Sequence, residues 1–249
     1  MAKTLVVTLR KGGSGKTTTA INLATALLQK GKRVLLVDLD PQSNATISVG
    51  INPTTLPRHI NTLFTDINAQ PQDVIIKTEF GLDLIPAHPD LADTEAGMRA
   101  TQIGLLKAIL EPLEDTYDFI VLDTPPSESY LTANALAVAD EVVIPLQAHF
   151  LAMRGLQEVI DEINQVKKGL NPKLKIAGIL PTMVSQRTNI SRMILDAVKE
   201  KYGDLLYPMS IDFSVRHAEA SLAGVPIVIY EPAHQGSLAY YQLADNFLK

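Results

Sequence analysis

Cysteine is absent from the 249-residue sequence. That absence excludes disulfides, thiolate zinc sites, cysteine nucleophiles and cysteine-ligated iron–sulfur clusters, and it suits a reducing cytoplasm. Long apolar runs are missing too: nowhere do about 18 apolar residues follow one another without a charge, so no membrane span is expected. The opening MAKTLVVTLRKGG has only a short apolar run before glycines and a lysine, too short for a signal peptide, and it reads as a first strand. The C-terminal end lacks a long basic amphipathic helix, so no direct membrane anchor is expected. Positive charge is not in excess. A net charge of −5 argues against a chain that coats nucleic acid with its whole surface and confines any DNA binding to a local patch. The five histidines, His59, His88, His149, His217 and His234, show no two-histidine helical spacing, and no metal is assigned to them. There is no G-x-S-x-G element, repeat, linker or low-complexity tract, and a hydrophobic content of 46% predicts one domain over residues 1–249.

What is present is an alternation of short β-branched runs with longer segments of helical period, the pattern of an α/β fold with a mostly parallel, doubly wound sheet and helices on both faces. Strands are expected at residues 4–9, 33–39, 82–86, 119–123, 141–145 and 175–180, with 227–230 a weaker seventh. In 17–30, Ala20, Leu23, Ala24, Leu27 and Leu28 fall at helical spacing and Gly31 is a natural stop. Further helices are expected at 104–114, 131–139, 155–168, 191–201 and 238–248, while prolines and polar residues break any period in 52–80.

A strand ending at Leu9, the run KGGSGKTT and a helix opening near Lys16 give a phosphate-loop pattern its proper context. Backbone N–H groups of Gly13, Ser14, Gly15 and Lys16 are expected to point at a β-phosphate, assisted by the positive end of the helix. Lys16 then reaches the β- and γ-phosphate oxygens of ATP, the Thr17 hydroxyl ligates Mg²⁺ and Thr18 sits near the α-phosphate. One position departs from the usual G-x-x-x-x-G-K-[ST]: the first glycine is replaced by Arg10, and Lys11 follows it.

Two runs place acids at strand ends. VLLVDLDPQSNAT puts Asp38 and Asp40 on one side of the second strand if it extends that far, overhanging the phosphates. Outer-shell carboxylates for Mg²⁺ and an oxygen that orients the attacking water are the chemical uses of such a pair. The plainer alternatives are an Asp38 ion pair and an Asp40 that only starts the turn before Pro41. FIVLDTPP ends in Asp123, the form of a strand whose carboxylate reaches Mg²⁺, and Thr124, Pro125 and Pro126 make a stiff turn beside the γ-phosphate.

The run Lys11, Gly12, Gly13, Ser14, Gly15, Lys16, Thr17, Thr18 resembles the deviant Walker A family of phosphate-loop ATPases, which holds the ParA/Soj partition ATPases and MinD. INLATALLQKGKRVLLVDLDPQSNAT, LDTPPSESYLTANALAVADEVVIPLQ, GILPTMVSQRTN and GVPIVIYEP extend the likeness to the ParA/Soj branch over nearly the whole chain, in the short form without an N-terminal helix-turn-helix. The resemblance implies that Lys11 crosses a homodimer interface to the partner's ATP, although a solvated loop lysine is the alternative. It implies that Asp40 activates or positions the water and that Asp38 supports the Mg²⁺ waters. Adenine is expected against Thr182, Met183 and residues 211–214, with Ile211, Asp212 and Ser214 as contacts, although relatives often have Pro and Asn where this chain has Asp212 and Ser214.

Nonspecific double-stranded DNA binding is likewise implied, with Arg187 and Arg216 in corresponding places. Arg192 and Lys199 are added from their shared helical face, which Asp196 on the same face is able to neutralise. The resemblance further implies an adaptor protein that stimulates hydrolysis, a plasmid, chromosome or carboxysome-like cargo, and a cytoplasmic, nucleoid-associated location. Two rivals stand beside it: a MinD-like membrane-surface switch and a phosphate-loop metabolic enzyme that activates a small substrate.

Overall fold

The computed structural model describes residues 1–149, 152–185 and 189–248. Among them eight strands form one sheet in the order β3-β4-β2-β5-β1-β6-β7-β8. They are β1 (Lys3–Val7), β2 (Val34–Asp38), β3 (Ile76–Lys77), β4 (Asp83–Ile85), β5 (Phe119–Asp123), β6 (Glu141–Gln147), β7 (Lys175–Val184) and β8 (Ile211–Asp212). All neighbours run parallel except β3, which pairs antiparallel with β4 at one edge. The helices are α1 (Lys16–Gln29), α2 (Asn44–Ser48), α3 (Ile60–Thr65), α4 (Leu91–Gly97), α5 (Leu105–Leu110), α6 (Tyr130–Val138), α7 (Ala152–Gly169), α8 (Asn189–Tyr202), α9 (Arg216–Leu222), α10 (Ile227–Tyr230) and α11 (Gln235–Phe247).

Alternation along the strands divides the core between the two faces. Val6, Leu35, Val37, Ile120 and Leu122 pack with α5, α6 and α7, whereas Leu5, Val7, Val34, Leu36 and Val121 pack with α1, α10 and α11. Helix α1 is buried on nearly all sides because it lies between the sheet and α11. It opens after Gly15 at φ +85° and closes before Gly31 at φ +79°, two backbone conformations that glycine adopts without strain.

The central strands fall where the periodicity places them, and three features differ. Residues 227–230, read as a weak strand, form the short helix α10. Its Tyr230 N–H bonds the Pro226 carbonyl, and its Val228 N–H bonds Asn22 Oδ1, so packing against α1 overrides the β preference of Ile-Val-Ile. The edge strands β3 and β8 are two residues each, too short to leave a period in sequence. Strand β7 runs on to Val184, which brings Thr182 and Met183 into the sheet itself.

Candidate nucleotide site

Parallel strands all deliver their C-terminal ends to one rim of the sheet, where open α/β sheets place their ligands. Register brings Val7, Asp38 and Asp123 side by side there, since Val7 pairs with Asp123 across β1 and β5 and Asp38 pairs with Asp123 across β2 and β5. The loop from Leu9 to Gly15 leaves β1 at this rim and turns into α1. Gly13 at φ +70° and Gly15 at φ +85° give it its curvature, and a Cβ added at Gly12 or Gly13 would meet nothing within 4 Å. The cradle is therefore open on its inner side, and among the described residues the amides of 12–16 donate no hydrogen bond within the protein. Thr182 closes its back, its hydroxyl donating to the Ser14 carbonyl at 2.8 Å.

Lys16 is buried, and its Nζ donates to the Lys11 carbonyl at 3.2 Å. Burial lowers its pKa from 10.5, opposed by the negative charges of Asp123 and Asp40. Asp123 is fully buried and neither of its oxygens has a hydrogen-bond partner in the protein. Burial first and the charge of Asp38 second push its pKa well above 3.8, with Thr17 and Lys16 pulling the other way. The buried Ser14 hydroxyl is similarly unpartnered. Orphaned buried groups are costly and rare in native proteins, and a divalent ion with phosphates is the kind of group that would satisfy these. Among the described residues no three His, Asp or Glu side chains form a ready-made metal cage. The donor set, one hydroxyl and nearby carboxylates, suits a magnesium ion that brings phosphates and water as its other ligands.

The two acids of the second run differ in environment. Asp38 is 0% exposed, and Oδ2 accepts from the Thr46 amide at 2.9 Å and the Thr46 hydroxyl at 2.8 Å while Oδ1 accepts from the Asp40 amide at 3.1 Å. Burial raises its pKa to about 6 against the pull of these bonds. Three of its four lone-pair positions are thus committed to holding the turn after β2, and among the described residues no basic side chain forms the ion pair considered from sequence. Asp40 stands forward. Its Oδ1 accepts from the Gln42 amide at 2.9 Å, and it lines, with residues 12–18, Gln42, Asn44, Ser48, Pro126 and Met183, a cavity of about 370 Å³. Lys11 lies beside it, with Nζ donating to Gln147 Oε1 at 3.1 Å.

A second cavity of about 290 Å³ adjoins the first through Gly15, Thr18 and Met183. Ile211, Asp212 and Ser214 line it as expected, together with Phe213, His217, Ser221 and Tyr240. Sequence reasoning did not single out His217, Ser221 or Tyr240, because they come from α9 and α11 and carry no local motif. Both ring nitrogens of His217 are buried without partners, and burial first and His234 second lower its pKa to about 4. Met183 holds φ +50°, an uncommon value for a side chain-bearing residue, at the junction of the two cavities.

The basic residues are arranged differently from one compact patch. Arg216 opens α9 and pairs with Glu219 at 2.6 Å and Glu231 at 3.4 Å. Arg192 and Lys199 are exposed on α8 and, among the described residues, pair with neither Asp196 nor any other acid. Helix α8 packs through Val198 on one face of the sheet and α9 through Ala220 on the other, so these cations flank the β7–β8 edge. Arg187 lies outside the described residues. Among the described residues no helix is long and apolar enough to cross a membrane.

Comparison with known proteins covers the whole chain. A family model described as an AAA domain matches residues 2–176. The sporulation initiation inhibitor protein Soj of Bacillus subtilis is 40% identical over 249 residues, covering 99% of this chain and 98% of the relative. The chromosome partitioning protein ParA of Caulobacter vibrioides is 40% identical over 253 residues, covering 99% and 94%. Among solved structures, cobyrinic acid a,c-diamide synthase from Mycobacterium smegmatis with bound ADP and magnesium is 36% identical, with a TM-score of 0.85 and coverage of 100% of this chain and 94% of that one. With an eight-stranded phosphate-loop fold and full-length relatives at this identity, the chain belongs to the Soj/ParA family of ATPases.

Proposed function

We propose that this ATPase binds ATP and Mg²⁺ at the strand-end rim, closes into a homodimer, grips nonspecific duplex DNA in that state and positions a cargo through an adaptor that stimulates hydrolysis. The observation that carries the reading is the convergence of an open glycine cradle, buried Lys16 and the unpartnered Asp123 carboxylate at one rim. Lys16 would serve the β- and γ-phosphates, Thr17 and Asp123 would hold Mg²⁺, and Asp40, in the wall of the cavity, would orient the attacking water. The ion would supply charge neutralisation on the transferred phosphoryl group. Asp38 acts mainly through the turn that presents Asp40. Lys11 leaves Gln147 to reach the partner's nucleotide, exchanging one partly exposed hydrogen bond for a phosphate contact.

For DNA, Arg192 and Lys199 offer exposed charge that no acid among the described residues pairs, while Arg216 must exchange two partly exposed carboxylates for phosphate, a small cost. Dimerisation doubles the phosphates engaged and so steepens both affinity and salt dependence. Names of relatives at 40% identity, a chromosome partitioning protein among them, support this reading. The deciding experiment is binding to nonspecific duplex DNA at several salt concentrations, without nucleotide, with ADP, or with ATP and Mg²⁺, using Asp40→Ala to hold the ATP state. Binding confined to the ATP state with a steep salt slope is the expected result.

The synthase name of the Mycobacterium smegmatis neighbour favours, as a second reading, activation of a small substrate at the same site. ATP turnover that depends stoichiometrically on a small acid and an amine donor, with no DNA binding in any state, would select that reading.

A further inference from the structure

Arg10, which replaces the first glycine of the usual phosphate-loop pattern, does not line the phosphate cavity. Its backbone is not in the left-handed region, so the position does not require glycine. The side chain is absent from the wall of the phosphate cavity and meets two carboxylates instead. Nε donates to Glu162 Oε2 on α7 at 2.9 Å, and Nη1 pairs at 2.8 Å with Glu128 Oε2 in the segment 124–129 that joins β5 to α6. The two arms are unequal. The Glu162 side chain is 9% exposed and that of Glu128 is 73% exposed. A buried carboxylate deprived of its cation is strongly unfavourable, which makes the Glu162 arm permanent. An exposed pair contributes little and is screened by salt, which makes the Glu128 arm releasable.

What the releasable arm holds is next to the chemistry. Segment 124–129 begins beside Asp123, is fixed at its start by the Thr124 hydroxyl donating to the Val7 carbonyl at 3.0 Å, and carries Pro126 into the wall of the phosphate cavity. At its far end the Thr132 hydroxyl donates to the Ser127 carbonyl at 3.2 Å, and Ser129 caps α6. Two consecutive prolines lock φ on both residues, so a displacement at Glu128 is passed along the segment rather than absorbed. A groove of about 510 Å³ between α6 and α7, lined by Glu128, Tyr130, Glu162 and Leu170, leaves room for that displacement.

We propose that Arg10 is a positioning residue for ATP hydrolysis: anchored on α7 by Glu162, it clamps Glu128 and thereby fixes Pro126 in the wall of the phosphate cavity. The inference rests on the ATPase reading and deepens it. Steady-state ATPase kinetics, mant-ATP binding and thermal unfolding of full-length wild type, Arg10→Lys, Arg10→Gln, Glu128→Ala and the Arg10→Gln/Glu128→Ala double variant test it. Because misplacement near reacting atoms is felt mainly in turnover and an exposed pair is worth at most about 1 kcal/mol, Arg10→Gln and Glu128→Ala are each expected to lower kcat about 3–5-fold with KM and mant-ATP Kd within about twofold. Coupling through one clamp predicts that the double variant is no worse than Arg10→Gln alone. Arg10→Lys keeps the charge beside Glu162 but loses the fork, so its kcat falls without loss of thermal stability. Unchanged kcat in Glu128→Ala, or multiplicative losses in the double variant, overturn the inference while wild-type turnover keeps the ATPase reading intact. A wild-type protein that fails to bind mant-ATP overturns both.

Discussion

The two adjoining cavities at the strand-end rim are built on different principles. The cavity along the glycine loop is walled largely by backbone and charge: glycines with an open inner side, the buried Lys16 and the Asp40 carboxylate. The neighbouring cavity is walled mostly by side chains, among them Met183, Ile211, Phe213 and Tyr240, with His217 set behind them. Phosphate has one geometry and a fixed charge, so a single contiguous run of sequence suffices to meet it. The walls of the neighbouring cavity come from β7, β8, α9 and α11, brought together only by the fold, as the enclosure we propose for a flat base requires.

If that contrast is right, damage to the first cavity should be large and should separate stability from activity. Asp123→Asn removes a buried acid whose charged form is disfavoured by burial and by Asp38, so ligand-free protein is expected to gain stability in urea unfolding at pH 7 while ATP turnover falls at least about 100-fold. A variant that loses stability and turnover together would erase the distinction drawn between a strained phosphate site and its relaxed surroundings. At the second cavity the effect should be smaller and of another kind. Phe213→Ala, which removes an exposed aromatic wall, is expected to weaken ATP binding about 3–10-fold with kcat unchanged, as measured by mant-ATP titration and steady-state kinetics. A kcat effect there would mean that the two cavities are not separate in function.

The smallest effect concerns pH. His217 has a folded-state pKa lowered to about 4, below its ordinary 6.5, so the unfolded state takes up a proton before the native state does. Its contribution is therefore present above about pH 6.5 and lost as pH falls towards 4. His217→Leu is expected to be no less stable than wild type at pH 7.5, because both ring nitrogens lack partners, and to lose less stability on moving to pH 5. Asp38 works in the opposite sense: with its pKa raised to about 6 from 3.8, it favours the folded state at lower pH and loses that contribution as pH rises through about 6. Urea unfolding of Asp38→Asn over the same range should therefore show a steeper acid-side loss than wild type.

Much of the phosphate site was legible because its residues are neighbours in sequence and each has a local reason. The positions of Gly13 and Gly15 at positive φ, Lys16 at the first turn of α1 and Asp123 at a strand end follow from the loop motif and from a run of buried β-branched residues. Ile211, Asp212 and Ser214, singled out by the resemblance, line one cavity with Tyr240 and His217, which had no comparable signal in sequence. Asp38 shows what motif reading leaves out: its spacing from Asp40 placed two acids at the strand end, but not the burial and the three hydrogen bonds that Asp38 accepts from Asp40 and Thr46. Residues 227–230 show the limit of periodicity, since four apolar residues are too few to tell a buried helix from a strand.

Sequence by itself determined six of the eight strands, the helices α1, α5, α6, α7, α8 and α11, the phosphate loop and the acids at two strand ends, because backbone geometry and hydrophobic period act over a few residues at a time. Tertiary structure decided which carboxylate is left without a partner, which lysine rests on Gln147, which distant side chains enclose the second cavity and how Arg10 spans α7 and segment 124–129. Burial and hydrogen-bond satisfaction depend on what the rest of the chain brings to a point in space, and no local pattern records that.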